Sequence, residues 1–462
     1  MPETNVSVKD STNDRLPQIP RDLLHFIQRD TYSLLVKGYA GTGKTTLALT
    51  ILKLLGIKNN FFYISTRLSP KQLFQYYPWL KHFVSQSKAQ DAGSAHHREA
   101  MSTFEDARLD EPESLFERIT NQLMDIKSPI IIIDSWDAIA SFMDREARLN
   151  NERVLQTWRE RAGAKLIFIS EQPADTTLDF LVDGIVELKQ SHHCNAKVRQ
   201  ISLEKLRGTC ITRPSYLYTL DGGMFYSFSP YKRISFEAFR EDGGQACQVS
   251  TRDKIKSGFP LLDTSLGGGY PVKGLVLLEL DSHVNMRIAL IFLRRIMLNF
   301  ILGGNPVLLQ YGTWLNLSSI LDSYKLPLSA NKRKLLNRLC TQKKQSAYNL
   351  LASLRRVRQR YRNKTLLNIM SAETIQSLAM PGNPKGFMQD TLSHAISQSD
   401  LSIVVLPQSH EDLLEVISEV SDIYLRLTMI SDTLFLQPLV PSSNLHALVS
   451  DGQSNMSLKP LV

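Results

Sequence analysis

The sequence predicts an α/β chain of two tandem domains, each a parallel sheet flanked by helices. Three observations carry that prediction. Short apolar runs alternate with helical patterns through the first half. A glycine-rich loop joins one such run to a helix at residue 38. Near residue 256 the order turn, strand, loop, helix begins again. The expected limits are a flexible tail over 1–15, a first domain over 16–240, a linker over 241–253 and a second domain over 254–462.

In the first domain the strand candidates are "SLLVKG", "NFFYIS", "PIIIID", "AKLIFIS" and "DGIVELK". They are continuously apolar, as strands covered on both faces must be. "SQSKAQDAGSAHHREAM", 85–101, is small and polar and is expected to be a mobile surface loop. "EDGGQACQVSTRDK" has the composition of a linker.

The loop between the first strand and its helix fits G-x-x-x-x-G-K-[ST]: Gly38, Tyr39, Ala40, Gly41, Thr42, Gly43, Lys44, Thr45. Its glycines let backbone N–H groups approach phosphate oxygens. Lys44 can reach the outer phosphates, and the Thr45 hydroxyl can take a place on Mg²⁺. Thr46 follows at the start of a helix whose N-terminus favours an anion. Asp134, at the end of four consecutive isoleucines, stands where an open α/β sheet puts its ligands and is the second candidate for Mg²⁺. A nucleotide with Mg²⁺ is the expected ligand.

The second domain has lost this chemistry. In "LLELDSHVNMRIAL" Asn285 takes the place of the second loop glycine, Met286 of the lysine and Arg287 of the threonine. The later strand "LSIVVLPQS" puts Leu406 and Pro407 where the magnesium aspartate would be expected. A degenerate nucleotide fold is expected, with an unrelated α/β domain as the alternative.

Composition narrows the setting. The hydrophobic fraction of 43% supports ordinary globular cores, and "IALIFLRRIMLNFIL" is interrupted by Arg294 and Arg295, so no membrane span is expected. The polar N-terminus lacks a signal-peptide core, and Cys194, Cys210, Cys247 and Cys340 follow no metal spacing. "SHHCN", 191–195, is expected to be a surface loop. A reducing cytoplasm is the expected location. The net charge of +9 favours anionic partners, nucleic acid among them.

That charge concentrates between Lys325 and Lys364, with thirteen Lys or Arg and no acid. Leu350, Leu354, Val357 and Tyr361 fall on one helical face, and Arg355, Arg356, Arg358, Arg360 and Arg362 occupy the remainder. The arginines are expected to face outward toward a polyanion or an acidic protein surface, with a solvated face as the plain alternative.

These segments resemble a known family. "SGFPLLDTSLGGGYPVKGLVLLE" and "LEKLRGT" are similar to the RecA-superfamily domains of the clock ATPase KaiC. "YISTRLSP", "YYPWL", "IIIIDSWDAI" and "LFLQPLVP" resemble the archaeal gas-vesicle regulator GvpD. The resemblance implies ATP on Gly38–Thr45, magnesium at Asp134, and Lys205 and Arg207 reaching a neighbouring subunit's ATP in a homo-oligomer, with Arg207 as the finger. It also implies repression through the arginine-rich segment and a protein partner such as a transcription activator. One departure matters. KaiC-like ATPases place water-activating glutamates before "SP", where this chain has Arg67 and Leu68. Arginine cannot take a proton from water, but it can pair with phosphate. Glu171 and Asp137 are the candidates for a substitute base. The expected protein is an ATP-dependent regulator with slow hydrolysis; the alternative is a recombinase-like, DNA-dependent ATPase.

Overall fold

A computed structural model describes residues 18–56, 60–83, 102–107, 112–123, 128–174, 176–193, 196–231, 253–312, 330–341, 347–376, 392–450 and 456–462. The expected tail, the 85–101 loop and residues 241–252 lie outside them. The described residues divide into two compact units, one ending at Phe228 and the other running from Ser229 to Leu461.

The first unit is built on nine strands: β1 (Tyr32–Gly38), β2 (Phe61–Ser65), β3 (Ser102–Asp106), β4 (Ile130–Asp134), β5 (Lys165–Ser170), β6 (Gly184–His193), β7 (Ala196–Leu206), β8 (Ser215–Thr219) and β9 (Tyr226–Ser227). Their order across the sheet is β3-β2-β4-β5-β1-β6-β7-β8-β9. Pairing is parallel from β3 to β6 and antiparallel from β6 to β9. Leu34, Val36, Ile130, Ile132, Ile167 and Ile169 pack on one face with the helix Lys44–Leu54. Leu35, Ile131, Ile133, Leu166 and Phe168 pack on the other with Trp136, Leu155 and Trp158. Both faces are covered, which is why the strands read as unbroken apolar runs.

All five strand candidates are strands. The structure adds β3, whose sequence "STFED" has no apolar run because it lies at the sheet edge beside β2. Ser191, His192 and His193 depart from expectation: they continue β6 and pair with Val198, Lys197 and Ala196.

The second unit repeats the topology. Its strands are β10 (Lys254–Ile255), β11 (Tyr270–Pro271), β12 (Gly274–Leu280), β13 (Val307–Gly312), β14 (Leu336–Thr341), β15 (Leu367–Ser371), β16 (Leu401–Pro407), β17 (Ile423–Ile430), β18 (Thr433–Val440), β19 (His446–Ser450) and β20 (Met456–Pro460). β10 and β11 form a short ribbon, and the large sheet runs β14-β13-β15-β16-β12-β17-β18-β19-β20. Numbered from β12, this is the order of the first sheet strand for strand. The chain thus carries two tandem α/β units of the P-loop type, each a mostly parallel sheet flanked by helices.

The match corrects one expectation. β16 occupies the place of β5, so Leu406 and Pro407 are not the counterparts of Asp134. That place falls at the end of β15, where Ser371 stands. The error arose because β16 is the most apolar of the later strands, and apolar content does not encode strand order. The site is no better for it, since Ser371 also lacks a carboxylate.

Candidate functional site

The C-terminal ends of β1, β2, β4 and β5 lie at one edge of the first sheet. Register fixes this: Ser65 is opposite Asp134, Asp134 opposite Ile169, and Ile169 opposite Val36. The loop after β1 is thereby brought beside Asp134 and the turns carrying Arg67 and Glu171.

The loop is shaped by its glycines. Gly43 has φ 92°, and a Cβ there would lie 2.6 Å from Leu220 Cδ1. At Gly38 a Cβ would lie 2.4 Å from the Leu188 carbonyl oxygen. Only glycine fits either place. Thr42 is buried, its hydroxyl donating to the Tyr39 carbonyl at 2.8 Å, while its own carbonyl accepts from the Tyr218 hydroxyl. Tyr39, Ala40 and Gly41 form the exposed crest. Lys44 is buried and donates to the carbonyls of Gly38 at 2.7 Å and Tyr39 at 2.9 Å. Burial draws its pKa below the ordinary lysine value, opposed by the nearby carboxylates of Glu171, Asp134 and Asp137 and assisted by Arg67.

Thr45 donates its hydroxyl to Asp134 Oδ2 at 2.6 Å, joining the loop to the strand end expected to share its ion. The same oxygen accepts from the buried Tyr63 hydroxyl at 2.6 Å. Thr46 is tied to the Tyr77 hydroxyl at 2.9 Å. Nothing in the sequence pattern pointed to Tyr63 or Tyr77. Tyr63 reaches Asp134 because β2 and β4 are neighbours, a relation visible only in the sheet.

Arg67 sits on a turn fixed from both sides. The Leu68 N–H donates to Ser65 Oγ, and Ser69 caps the helix Pro70–Tyr76 in a reciprocal box with Gln72. Its guanidinium forms an ion pair with Glu171. Asp137 accepts from the Ser170 hydroxyl at 2.9 Å and the Glu171 N–H at 2.6 Å. Its carboxylate is thus engaged in holding the Glu171 backbone.

Lys205 and Arg207 are not brought to this edge. Arg207 N–H donates to the Asp183 carbonyl, and Asp183 flanks Ser33 at the start of β1. About five residues of strand, roughly 17 Å, separate them from the loop, so neither side chain stands beside the loop of its own chain. Arg207 lies 3.3 Å from Asp183 Oδ1 and lines a concavity with Arg29, Tyr32 and Arg159. Lys205 donates to the Asp179 carbonyl at 2.9 Å.

In the second unit the helix Met286–Leu302 starts at the position matching Lys44. Asn285 caps it, its side chain accepting from the Ile288 N–H at 3.1 Å. The end that would receive a phosphate is thus satisfied by its own side chain. The helix Ala347–Arg360 packs Leu354 and Val357 against Leu308 and Leu366; the side chain of Leu350 lies outside the described residues. Arg355, Arg356, Arg360 and Arg362 are exposed, as expected. Arg358 is not: it turns back to Asp400 Oδ2 at 2.8 Å and the Lys364 carbonyl at 2.9 Å, because Asp400 precedes β16 beneath this helix.

Fold and loop together define a P-loop nucleotide-binding type of domain. Residues 24–204 match the family described as GvpD gas vesicle protein, P-loop domain. Protein GvpD2 of Halobacterium salinarum is 24% identical over 286 residues, 59% of this chain and 57% of that protein. Protein GvpD1 of the same organism is 26% identical over 287 residues, 58% of this chain and 51% of that protein. The chain is GvpD-like, as its motifs implied, and it spans about half the length of the curated relatives it matches. Among the described residues no helix is long and apolar enough to cross a membrane.

Proposed function

We propose that this chain is an ATP-binding regulatory protein of the gas-vesicle type, which hydrolyses ATP slowly and acts through a protein partner. The observation that carries the proposal is the Thr45–Asp134 hydrogen bond beneath a glycine cradle that no side chain could enter. A hydroxyl and a carboxylate are hard oxygen donors of the kind Mg²⁺ takes. Loop N–H groups and Lys44 would hold the phosphates, and Thr45 with Asp134 would hold Mg²⁺, which would neutralise charge between the outer phosphates. Nucleotide would belong to the domain over 16–240. The domain over 254–462 would engage an acidic partner, such as a transcription activator, through Arg355, Arg356, Arg360 and Arg362. Slow turnover is supported by Arg67 and Leu68 in the place of water-activating glutamates. A homo-oligomer would be needed for Arg207 to act as a finger.

Calorimetry on the full chain tests the reading. One ATP·Mg²⁺ per chain is expected, with binding lost in Lys44→Ala. Two comparable sites, or full binding by that variant, would overturn it. Turnover stimulated by DNA would favour the recombinase-like alternative.

A further inference from the structure

The ion pair between Arg67 and Glu171 crosses the mouth of the site. Arg67 follows β2 and Glu171 follows β5, and β4 with Asp134 lies between those strands. The pair therefore bridges over the carboxylate that receives the Thr45 hydroxyl. Both members are anchored through their backbones, by the Ser65 and Ser69 turn on one side and by Asp137 on the other. Their side chains remain open to solvent, 55% exposed for Arg67 and 26% for Glu171. Both charges also act on Lys44, the residue expected to meet the outer phosphates.

We propose that Arg67 is the residue by which this site distinguishes a nucleoside triphosphate from a diphosphate, and that Glu171 holds it in reserve. The inference rests on the nucleotide reading above. An exposed ion pair is weak, because water and salt screen it. A terminal phosphate offers a guanidinium more charge than one carboxylate does, on a fork of oxygens that suits it equally well. A diphosphate carries no group at that place, so the pair stays closed. Arg67 thus exchanges one anion for another only when the third phosphate is present.

The test is calorimetry on the full chain, with Mg²⁺ and either ADP or the non-hydrolysable imido analogue of ATP. Arg67→Ala should weaken the analogue about tenfold to a hundredfold, the range of one charged hydrogen bond, and leave ADP almost unchanged. Glu171→Gln, which releases Arg67, should tighten the analogue alone, and that gain should vanish when Arg67→Ala is added. Arg67→Lys, which keeps the charge without the fork, should fall between wild type and Arg67→Ala. Equal weakening of both ligands by Arg67→Ala would overturn the proposal. So would a Glu171→Gln effect that persists without Arg67. If the unmodified chain binds neither ligand, the nucleotide reading itself falls, and this inference with it.

Discussion

Asp134 has two roles that substitutions can separate. Its Oδ2 accepts from Tyr63 and from Thr45, each at 2.6 Å. Tyr63 is 1% exposed, so its hydroxyl has no water to turn to. Asp134→Ala would take from that buried donor its carboxylate acceptor, at a cost of about 1–3 kcal/mol. Thr45 is half-buried and can recover a water, so its loss adds little. The expected destabilisation of the first unit is about 2 kcal/mol. Tyr63→Phe in the same chain should return much of it, because no orphaned hydroxyl remains. Asp134→Asn keeps an acceptor and should be nearly as stable as wild type, yet it should lose Mg²⁺-dependent nucleotide binding. Urea unfolding followed by tryptophan fluorescence is a suitable assay, since Trp79, Trp136 and Trp158 lie in the first unit and only Trp314 lies elsewhere. Titration with nucleotide, with and without Mg²⁺, gives the second readout. If Asp134→Ala were as stable as wild type, or if Tyr63→Phe failed to offset it, the shared-oxygen arrangement would be refuted.

Single-turnover hydrolysis by the full chain should run well below about 1 s⁻¹; turnover at motor-enzyme rates would refute the slow-switch reading and make Glu171→Gln, at the substitute base, the next variant to measure. Neutralising Arg355, Arg356, Arg360 and Arg362 should weaken capture of an acidic partner and flatten its salt dependence without unfolding the chain. Arg358→Ala, by contrast, should cost about 1 kcal/mol of stability in the second unit through the loss of Asp400, and partner binding by the folded variant should be unaffected. Burial holds the His446 imidazole down at about 4, against an ordinary 6.5. Between those values the unfolded chain binds a proton that the folded chain refuses. Stability of the second unit should therefore be full above about pH 6.5 and fall by up to about 3 kcal/mol toward pH 4. Hydrogen exchange in β19 should report that fall, and His446→Gln should flatten it.

The sequence alone determined the loop Gly38–Thr45, the partner aspartate Asp134, five strands of the first sheet and the loss of the second site at Asn285–Met286–Arg287. Each is a local matter: glycine where φ is positive, a charge at a strand end, an apolar run covered on both faces. Tertiary structure decided the rest, because it depends on which strands are neighbours. Tyr63 reaches Asp134 only through the β2–β4 pairing. Strand order moved the counterpart of Asp134 from Pro407 to Ser371 and revealed β3 at an edge where no apolar run is required. Arg358 was read as an outward arginine because helical periodicity does not show the aspartate beneath it. Arg67 and Glu171, 104 residues apart in the chain, meet because the sheet sets their strand ends on either side of Asp134. A sequence records what each residue can do, and the packing of the sheet selects the residue with which it does it.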